Sequence, residues 1–278
     1  MPSCTPGEGA DMLKDITLGQ YFPGDTLIHK LDPRTKLIMT MVYLIAIFTA
    51  NSPLTLGLVV LFLVLVICIS KVKLKQMVRG LRPLILLLTI TGLLNTFITP
   101  GEPIFTIWRL TATWEGLTWS ILLVLRIVIM VMSTSILTYT TTPMALTDGL
   151  EKLLRPLRRI RVPVHEIAMI MSMALRFIPT LIEEADKIMN AQKARGADFE
   201  SGNLIKRAKA LLPLLVPLFI SAFRRADELA VAMESRCYHG GEGRTRLRQL
   251  KFERRDILTD LVGVLLLAVV IGLVVMGL

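Results

Sequence analysis

Residues 53–70 read PLTLGLVVLFLVLVICIS and contain no charged side chain. A helix needs about 20 mostly apolar residues to cross the hydrocarbon core of a bilayer, so a run of this length predicts a membrane span. Four more runs have the same character and contain at most one charge each: residues 37–50, 83–101, 116–141 and 257–278. We therefore expect five membrane helices.

The overall composition supports a polytopic membrane protein. Hydrophobic residues make up 53% of the 278-residue chain, charged residues only 19%, and the mean hydropathy is +0.60. Soluble globular domains carry about 25% charged residues and fewer apolar ones, so this balance argues against a soluble enzyme or binding domain. The expected fold class is an all-α membrane protein.

A sixth apolar run, residues 210–223, reads ALLPLLVPLFISAF and has basic residues on both flanks. Its uncharged length of about 14 residues is typical of a buried or interfacial helix and not of a span. It also contains Pro213 and Pro217, and proline removes a backbone donor and bends a helix. We therefore expect that this run does not span the membrane.

The basic residues indicate how the spans are oriented. The link between the second and third spans carries five basic residues and no acid: Lys71, Lys73, Lys75, Arg79 and Arg82. The next link instead holds three tryptophans typical of a membrane interface: Trp108, Trp114 and Trp119. Because basic links stay in the cytoplasm, the N-terminus and residues 142–256 are expected on the cytoplasmic side and the C-terminus outside. This placement accounts for the formal net charge of +10 without a nucleic-acid partner.

The same orientation divides the chain into four parts. They are a cytoplasmic N-terminal segment (1–28), four spans (29–141), a cytoplasmic region (142–256) and a last span (257–278). Within the cytoplasmic region, residues 144–161 have the pattern of a basic amphipathic helix at the membrane surface. Residues 164–196 and 203–237 follow the period of two long helices, each about 50 Å long at 1.5 Å per residue.

The two long helices are related in sequence. EEADKIMNAQKARG (183–196) aligns with RRADELAVAMESRC (224–237), with an Ala-Asp pair and an arginine at the same spacing. One arginine in a last helical turn is ordinary, because it stabilises the helix dipole by roughly 0.3–1 kcal/mol. Its repetition on one side of the membrane, at tips expected to lie tens of ångströms apart, indicates two docking points for two similar partners. The tip residues are Ala194, Arg195, Gly196, Ser235, Arg236 and Cys237.

The chain shows no set of residues typical of catalysis or of cofactor binding. It has no GxxxxGK[ST] loop for ATP, and its three histidines, His29, His165 and His239, are too scattered to indicate a metal site. Its three cysteines are expected to be free thiols. Arg126 is a charge inside a span, and we expect it to reach the interface or to bond a carbonyl or Asn95.

Two long segments resemble one known family. GQYFPGDTLIHKLDPRTKL (19–37) resembles its opening, and LLRPLRRIRVPVHEIAMIMSMALRFIPTLIEEADKIMNAQKARG (153–196) resembles a later part. The most distinctive residues of the opening are Leu31, Asp32, Pro33 and Arg34. The family is the transmembrane T component of energy-coupling factor (ECF) transporters, the EcfT/CbiQ-like proteins, and the resemblance covers nearly the whole chain. The second tip departs from the family pattern, because Ser-Arg-Cys replaces Ala-Arg-Gly.

This resemblance implies a coupling subunit that is not itself an enzyme. In the family, the T component joins two ATP-binding-cassette (ABC) ATPases to a small membrane S component that binds a vitamin or a metal ion. The resemblance implies that residues 144–161 form an elbow helix. It implies that 164–196 and 203–237 are crossed coupling helices, each placing its arginine tip in a groove of one ATPase. It further implies a multi-pass location in the cell membrane of a prokaryote, ATP hydrolysis in the partner subunits and no cofactor here.

Other interpretations stay open. Within the family, the alternative is a dedicated T subunit of a single cobalt, nickel or biotin importer. A secondary transporter would show inverted repeats among its spans and polar residues at mid-membrane, whereas the repeat found here lies in the predicted cytoplasmic region. A membrane-embedded enzyme would need a clustered catalytic set.

Overall fold

The structure is a computed structural model that describes residues 21–107, 110–197, 204–240 and 252–277. Nine α-helices account for most of these residues. They are α1 (Pro33–Thr49), α2 (Pro53–Ser70), α3 (Leu74–Leu81), α4 (Ile85–Ile98), α5 (Trp114–Thr140), α6 (Pro143–Leu154), α7 (Val164–Ala194), α8 (Leu204–Glu234) and α9 (Arg254–Val275). Two short 3-10 helices, Arg82–Leu84 and Arg155–Ile160, follow α3 and α6. The all-α fold class is confirmed.

Among the described residues, five helical stretches are long and apolar enough to cross a membrane: α2, Leu74–Ile98, α5, α7 and α9. The expected number is confirmed, but one member differs. The predicted first span forms α1, whose 17 residues lie at the short end of the usual range of about 17–25. The additional helix is α7, which is the least apolar of the five and which was predicted to lie in the cytoplasmic region.

The helix that contains the third predicted span begins before the apolar run does. The helical stretch starts at Leu74 and continues through the 3-10 turn at Pro83 to Ile98, so most of the basic link is itself helical. The residues of α3, LKQMVRGL, place their apolar side chains on one side, where Met77 is buried. Amphipathic spacing, which continuous apolar runs do not reveal, explains this extension.

A small β-hairpin joins α4 to α5 and was not predicted. Strands β1 (Pro103–Ile107) and β2 (Leu110–Thr113) pair antiparallel, with Thr106 opposite Thr111 and Ile107 opposite Leu110. Thr113 then caps α5 by accepting a hydrogen bond from the Gly116 N–H. Trp108 of the expected aromatic belt lies outside the described residues.

The described residues fall into two compact units. The first, which we call the membrane unit, contains α1 to α6 and α9. Its core is formed by buried residues of α1, α2, α5 and α9, among them Tyr43, Ile47, Val59, Ile136 and Val270. α1 and α9 pack so closely at Gly263 that a Cβ at this position would overlap the Met39 sulfur.

The second unit, which we call the long-helix unit, contains the 3-10 helix Arg155–Ile160, α7 and α8. Both long helices have 31 residues and continue through internal prolines, Pro179 in α7 and Pro213 with Pro217 in α8. Among the side chains described on these two helices, only Val164, Ala168 and Leu214 are buried. Little of this unit is therefore held in place by an apolar core of its own.

Arg126 bonds a carbonyl, one of the two outcomes expected for it. Its guanidinium, on α5, donates a hydrogen bond to the carbonyl oxygen of Ala50, the residue that ends α1. A cation at a helix C-terminus also interacts favourably with the helix dipole. Arg126 therefore caps α1 and fixes the tight link between α1 and α2. At the other end of this link, Ser52 and Thr55 form a capping box that begins α2.

Candidate functional site

The first arginine tip ends α7 in a Schellman motif. Arg195 is the C-cap residue, and Gly196 follows with a positive φ of 86°. The Gly196 N–H donates to the Lys193 carbonyl at 3.0 Å, and the Ala197 N–H donates to the Gln192 carbonyl at 3.0 Å. These two bonds satisfy carbonyls that a helix end otherwise leaves without partners. The backbone bonds therefore fix the turn, while the Arg195 side chain is exposed.

The second tip ends α8 with the same pattern of bonds. Cys237, with a φ of 55°, donates its N–H to the Glu234 carbonyl at 2.9 Å. The Tyr238 N–H donates to the Met233 carbonyl at 3.1 Å. Arg236 is thus in the C-cap position that Arg195 has in the first tip.

The two tips match bond for bond at a constant offset in the chain. Cys237 takes the left-handed position of Gly196, although this conformation costs a residue with a Cβ roughly 1–2 kcal/mol. The departure from Ala-Arg-Gly to Ser-Arg-Cys therefore leaves the backbone of the turn unchanged. All six tip residues named from the sequence are exposed: Ala194, Arg195, Gly196, Ser235, Arg236 and Cys237.

An ion pair joins the two long helices upstream of their tips. The Arg225 guanidinium on α8 donates to one carboxylate oxygen of Glu184 on α7, at 2.8 Å from Nη2 and 3.2 Å from Nε. The Ser221 hydroxyl donates to the other oxygen of Glu184. This network was not predicted from the sequence, although the alignment of the two helices pairs Glu184 with Arg225.

The position of this ion pair makes the two tips equivalent. Glu184 and Arg225 are separated by 41 residues, which is the offset of the repeat. Arg195 lies eleven residues beyond Glu184, and Arg236 lies eleven beyond Arg225. At 1.5 Å per residue, each arginine lies about 16 Å along its helix from the shared contact. The distance between the tips therefore depends on the two equal helix segments that run from the ion pair to each arginine, and not on the full helix lengths.

The family motif near the N-terminus lies in the membrane unit and starts α1. Asp32 is the N-cap residue, and its carboxylate accepts a hydrogen bond from the Arg34 backbone N–H at 2.9 Å. Pro33 occupies the first helical position, where its missing N–H removes no helical bond. The Asp32 backbone N–H donates to the buried Asp256 carboxylate at 2.9 Å, which ties the motif to the start of α9.

Lys36 extends this cluster to the end of α5. Its buried ammonium donates to the Thr140 carbonyl at 2.9 Å and to the His29 carbonyl at 3.3 Å. Partial burial lowers the pKa of His29, and the positive charge of Lys36 lowers it further. The hydrogen bond from the ring to the Phe22 carbonyl acts in the opposite direction. Nothing in the sequence around Lys36 indicates these distant partners.

The described side chains also bear on metal binding. Over the described ranges, no group of three or more His, Cys, Asp or Glu residues is placed to hold a metal ion. The described cysteines, Cys68 and Cys237, are exposed and free of disulfides.

Comparisons with known proteins match most of the chain. A family model described as CbiQ, cobalt transport protein, matches residues 24–247. The energy-coupling factor transporter transmembrane protein EcfT of Ruminiclostridium cellulolyticum is 51% identical over 260 residues, covering 94% of this chain and 97% of that protein. The EcfT protein of Bacillus subtilis is 48% identical over 246 residues, covering 88% and 93% respectively. The chain therefore belongs to the CbiQ/EcfT family, the transmembrane components of energy-coupling factor transporters.

Proposed function

We propose that the chain couples two ABC-type ATPases to a membrane S component, so that ATP-driven movement of the ATPases drives uptake of a vitamin or metal ion. The chain is then the mechanical link, and ATP is hydrolysed in its partners. The observation that carries this proposal is the pair of equivalent arginine tips at the ends of α7 and α8. Two like tips suit two like partners.

The chemistry of the tips supports docking into a protein groove. A guanidinium offers five N–H donors in a rigid fork, which suits carboxylate and carbonyl acceptors. The neighbours of Arg195 and Arg236 are small, so the backbone at each tip can approach a partner closely. Interfacial arginines are often hot spots whose truncation costs about 2 kcal/mol or more.

The ion pair between α7 and α8 supports transmission of movement. Because Glu184 and Arg225 join the helices at equivalent points, a displacement of one tip turns its helix about a contact shared with the other. Helices hold their own backbone hydrogen bonds and carry a displacement along their length. We assign this contact the role of a pivot between the two coupling helices.

An exposed apolar stripe on α8 supports a partner within the membrane. Six large side chains recur at spacings of three and four residues: Leu212, Leu215, Val216, Phe219, Ile220 and Phe223. Each of them is more than half exposed. Among the described helices, α8 is not one of those apolar enough to span, so it does not need an apolar environment on all sides. It needs an apolar partner only on the face that carries the stripe. We assign this partner as the S component, whose own surface must be apolar to lie in the bilayer.

The proposal places the N-terminus, α7 and α8 on the cytoplasmic side. The turn between α2 and α3 and the helical turns after it carry the basic residues that the positive-inside rule requires: Lys71, Lys73, Lys75, Arg79 and Arg82. Although α7 is apolar enough to span, it carries Glu183, Glu184, Asp186 and Lys187 within one turn and a half. A cluster of this kind is expensive in hydrocarbon and acceptable at the membrane surface.

Reversing the charge of the tips tests this function. Arg195→Glu and Arg236→Glu should each reduce uptake in cells that express the complete transporter, and the double variant should abolish it. Arg176→Glu on α7 and Arg224→Glu on α8 are matched controls, because both arginines are exposed and lie away from the tips. Normal uptake by a stably expressed double variant would contradict the proposal.

A dedicated importer remains the second candidate within the family. The matching family model is described as a cobalt transport protein, and this description is the observation that favours a dedicated importer. Purification of the chain from native membranes, followed by identification of the bound membrane subunits, distinguishes a dedicated importer from a shared module. Several different S components would support a shared module, whereas one constant partner would support a dedicated one.

A further inference from the structure

A cleft of about 410 Å³ lies within the membrane unit, between four of its helices. Three of its lining residues, Leu27, Ile28 and Leu31, precede α1. The others fall within four ranges of similar length: 36–43 on α1, 62–69 on α2, 133–140 on α5 and 255–262 on α9. At 1.5 Å per residue, each range extends about 10 Å along its helix. The cleft is therefore a slot that follows the helix axes over about two turns.

The two cations that line the slot lie at one end, and most of the other lining side chains are apolar. Lys36, Thr140 and Arg255 lie at the end where α1 and α9 begin and α5 finishes. Tyr43, Leu63 and further apolar side chains line the remainder. The slot thus has one positively charged end, while its interior suits a hydrocarbon chain.

Arg255 is the cation placed to meet a ligand at this end. The Lys36 ammonium is buried and already donates to two carbonyls. Arg255 is half exposed, and its ion pair with Glu253 is long, at 3.6 Å between Nε and Oε2. A pair this exposed contributes little, so the Arg255 guanidinium can bind a second anion.

The opening of the slot is bordered by apolar side chains. Ile69 on α2 and Leu258 and Val262 on α9 are between 48% and 61% exposed. Both helices have the length and composition of membrane spans, so this opening faces lipid and not water. The five basic residues that follow α2 in the chain add positive charge at the same end of that helix.

We propose that this slot binds one acyl chain of an anionic phospholipid, with the lipid phosphate held by Arg255. The apolar walls bury the chain, and the guanidinium supplies a charge-assisted contact to the phosphate oxygens. α9 packs mainly against α1, and the bound chain fills the space between α9 and α2. The site is independent of the ATPase-coupling role proposed for the tips.

Spin-labelled lipids test this site in the full-length chain reconstituted into nanodiscs. Labelled phosphatidylglycerol should show a larger immobilised fraction than labelled phosphatidylcholine. Arg255→Ala should remove this preference, which we expect to be about two- to fivefold, the size given by one partly exposed ion pair. Arg254→Ala is the matched control, because Arg254 is the preceding residue of α9 and does not line the slot. A preference that survives in Arg255→Ala would overturn the proposal.

A second variant fills the slot itself. Thr259 lines the slot, so Thr259→Trp should lower the immobilised fraction of both lipids. Val264→Trp adds the same side chain at an exposed position of α9 outside the slot and should leave the fraction unchanged. Lipid around the protein perimeter contributes equally to both variants, so their difference reports the slot. Equal immobilised fractions would show that something other than lipid, such as the chain's own residues 1–20, fills the slot and would contradict the proposal.

Discussion

The membrane unit and the long-helix unit differ in where their apolar side chains lie. In the membrane unit, Ile47, Val59 and Val270 are fully buried, and a polar cluster around Asp256 joins three helices. In the long-helix unit, the described helices bury only a few small or aliphatic residues and leave the large ones of α8 exposed. One unit is stabilised by contacts within the chain, whereas the other is completed by contacts with partners. Substitutions should therefore affect folding in the first and assembly in the second.

The largest effect on folding is expected from Asp256→Leu. Asp256 is 2% exposed, and its carboxylate accepts hydrogen bonds from the backbone N–H groups of Asp32 and Glu253. Leucine would leave both donors unpaired, and each costs about 1–3 kcal/mol, so the free energy of unfolding should fall by about 2–6 kcal/mol. The thermal unfolding midpoint in detergent measures this. The control Asp25→Leu, at a fully exposed aspartate, should change the midpoint little, and an equal fall in both variants would refute the comparison.

Exchanging the ion-pair residues should affect coupling and not folding. Glu184→Arg or Arg225→Glu alone places like charges together, so uptake by the complete transporter should fall severalfold. The double exchange restores opposite charges at the same two equivalent positions and should recover most of the uptake. Because the Arg225 side chain is 38% exposed, water screens the pair, and its contribution to folding stability should be small. Failure of the double exchange to recover uptake, with normal expression, would remove the pivot from the account.

The smallest effect is expected at the left-handed position of the second tip. Cys237→Gly makes this tip resemble the first and relieves a conformation that costs roughly 1–2 kcal/mol for a non-glycine residue. We expect a slight rise in the thermal unfolding midpoint with unchanged uptake. Gly196→Cys is the reciprocal variant and should lower the midpoint by a similar amount. A loss of uptake in Cys237→Gly would show that the thiol itself has a role.

The membrane helices could be predicted from continuous apolar runs, because lipid requires an apolar surface on all sides of a span. The early start of the helix that contains the third span was not predicted, since the amphipathic residues of α3 continue the helix through the basic link. The β-hairpin at Pro103–Ile107 and Leu110–Thr113 was not predicted. Both strands are short, and their pairing depends on the helices that flank them.

The tips could be located from the repeated arginine, but their equivalence could not. The matching backbone bonds and the left-handed φ of Cys237 could not be predicted, because cysteine does not favour this backbone conformation. The contact of Glu184 with Arg225, like that of Arg126 with the Ala50 carbonyl, joins residues far apart in the chain. Only the packing of helices determines which distant groups meet.

Counting the ATPase subunits bound to the chain tests the central claim most directly. Native mass spectrometry of the purified assembly should find two ATPase subunits with the unmodified chain, one with Arg195→Glu or with Arg236→Glu, and none with the double variant. The Arg176→Glu and Arg224→Glu controls should retain two. If either single variant kept both ATPases, the arginine tips would not be independent docking points, and the account would be wrong.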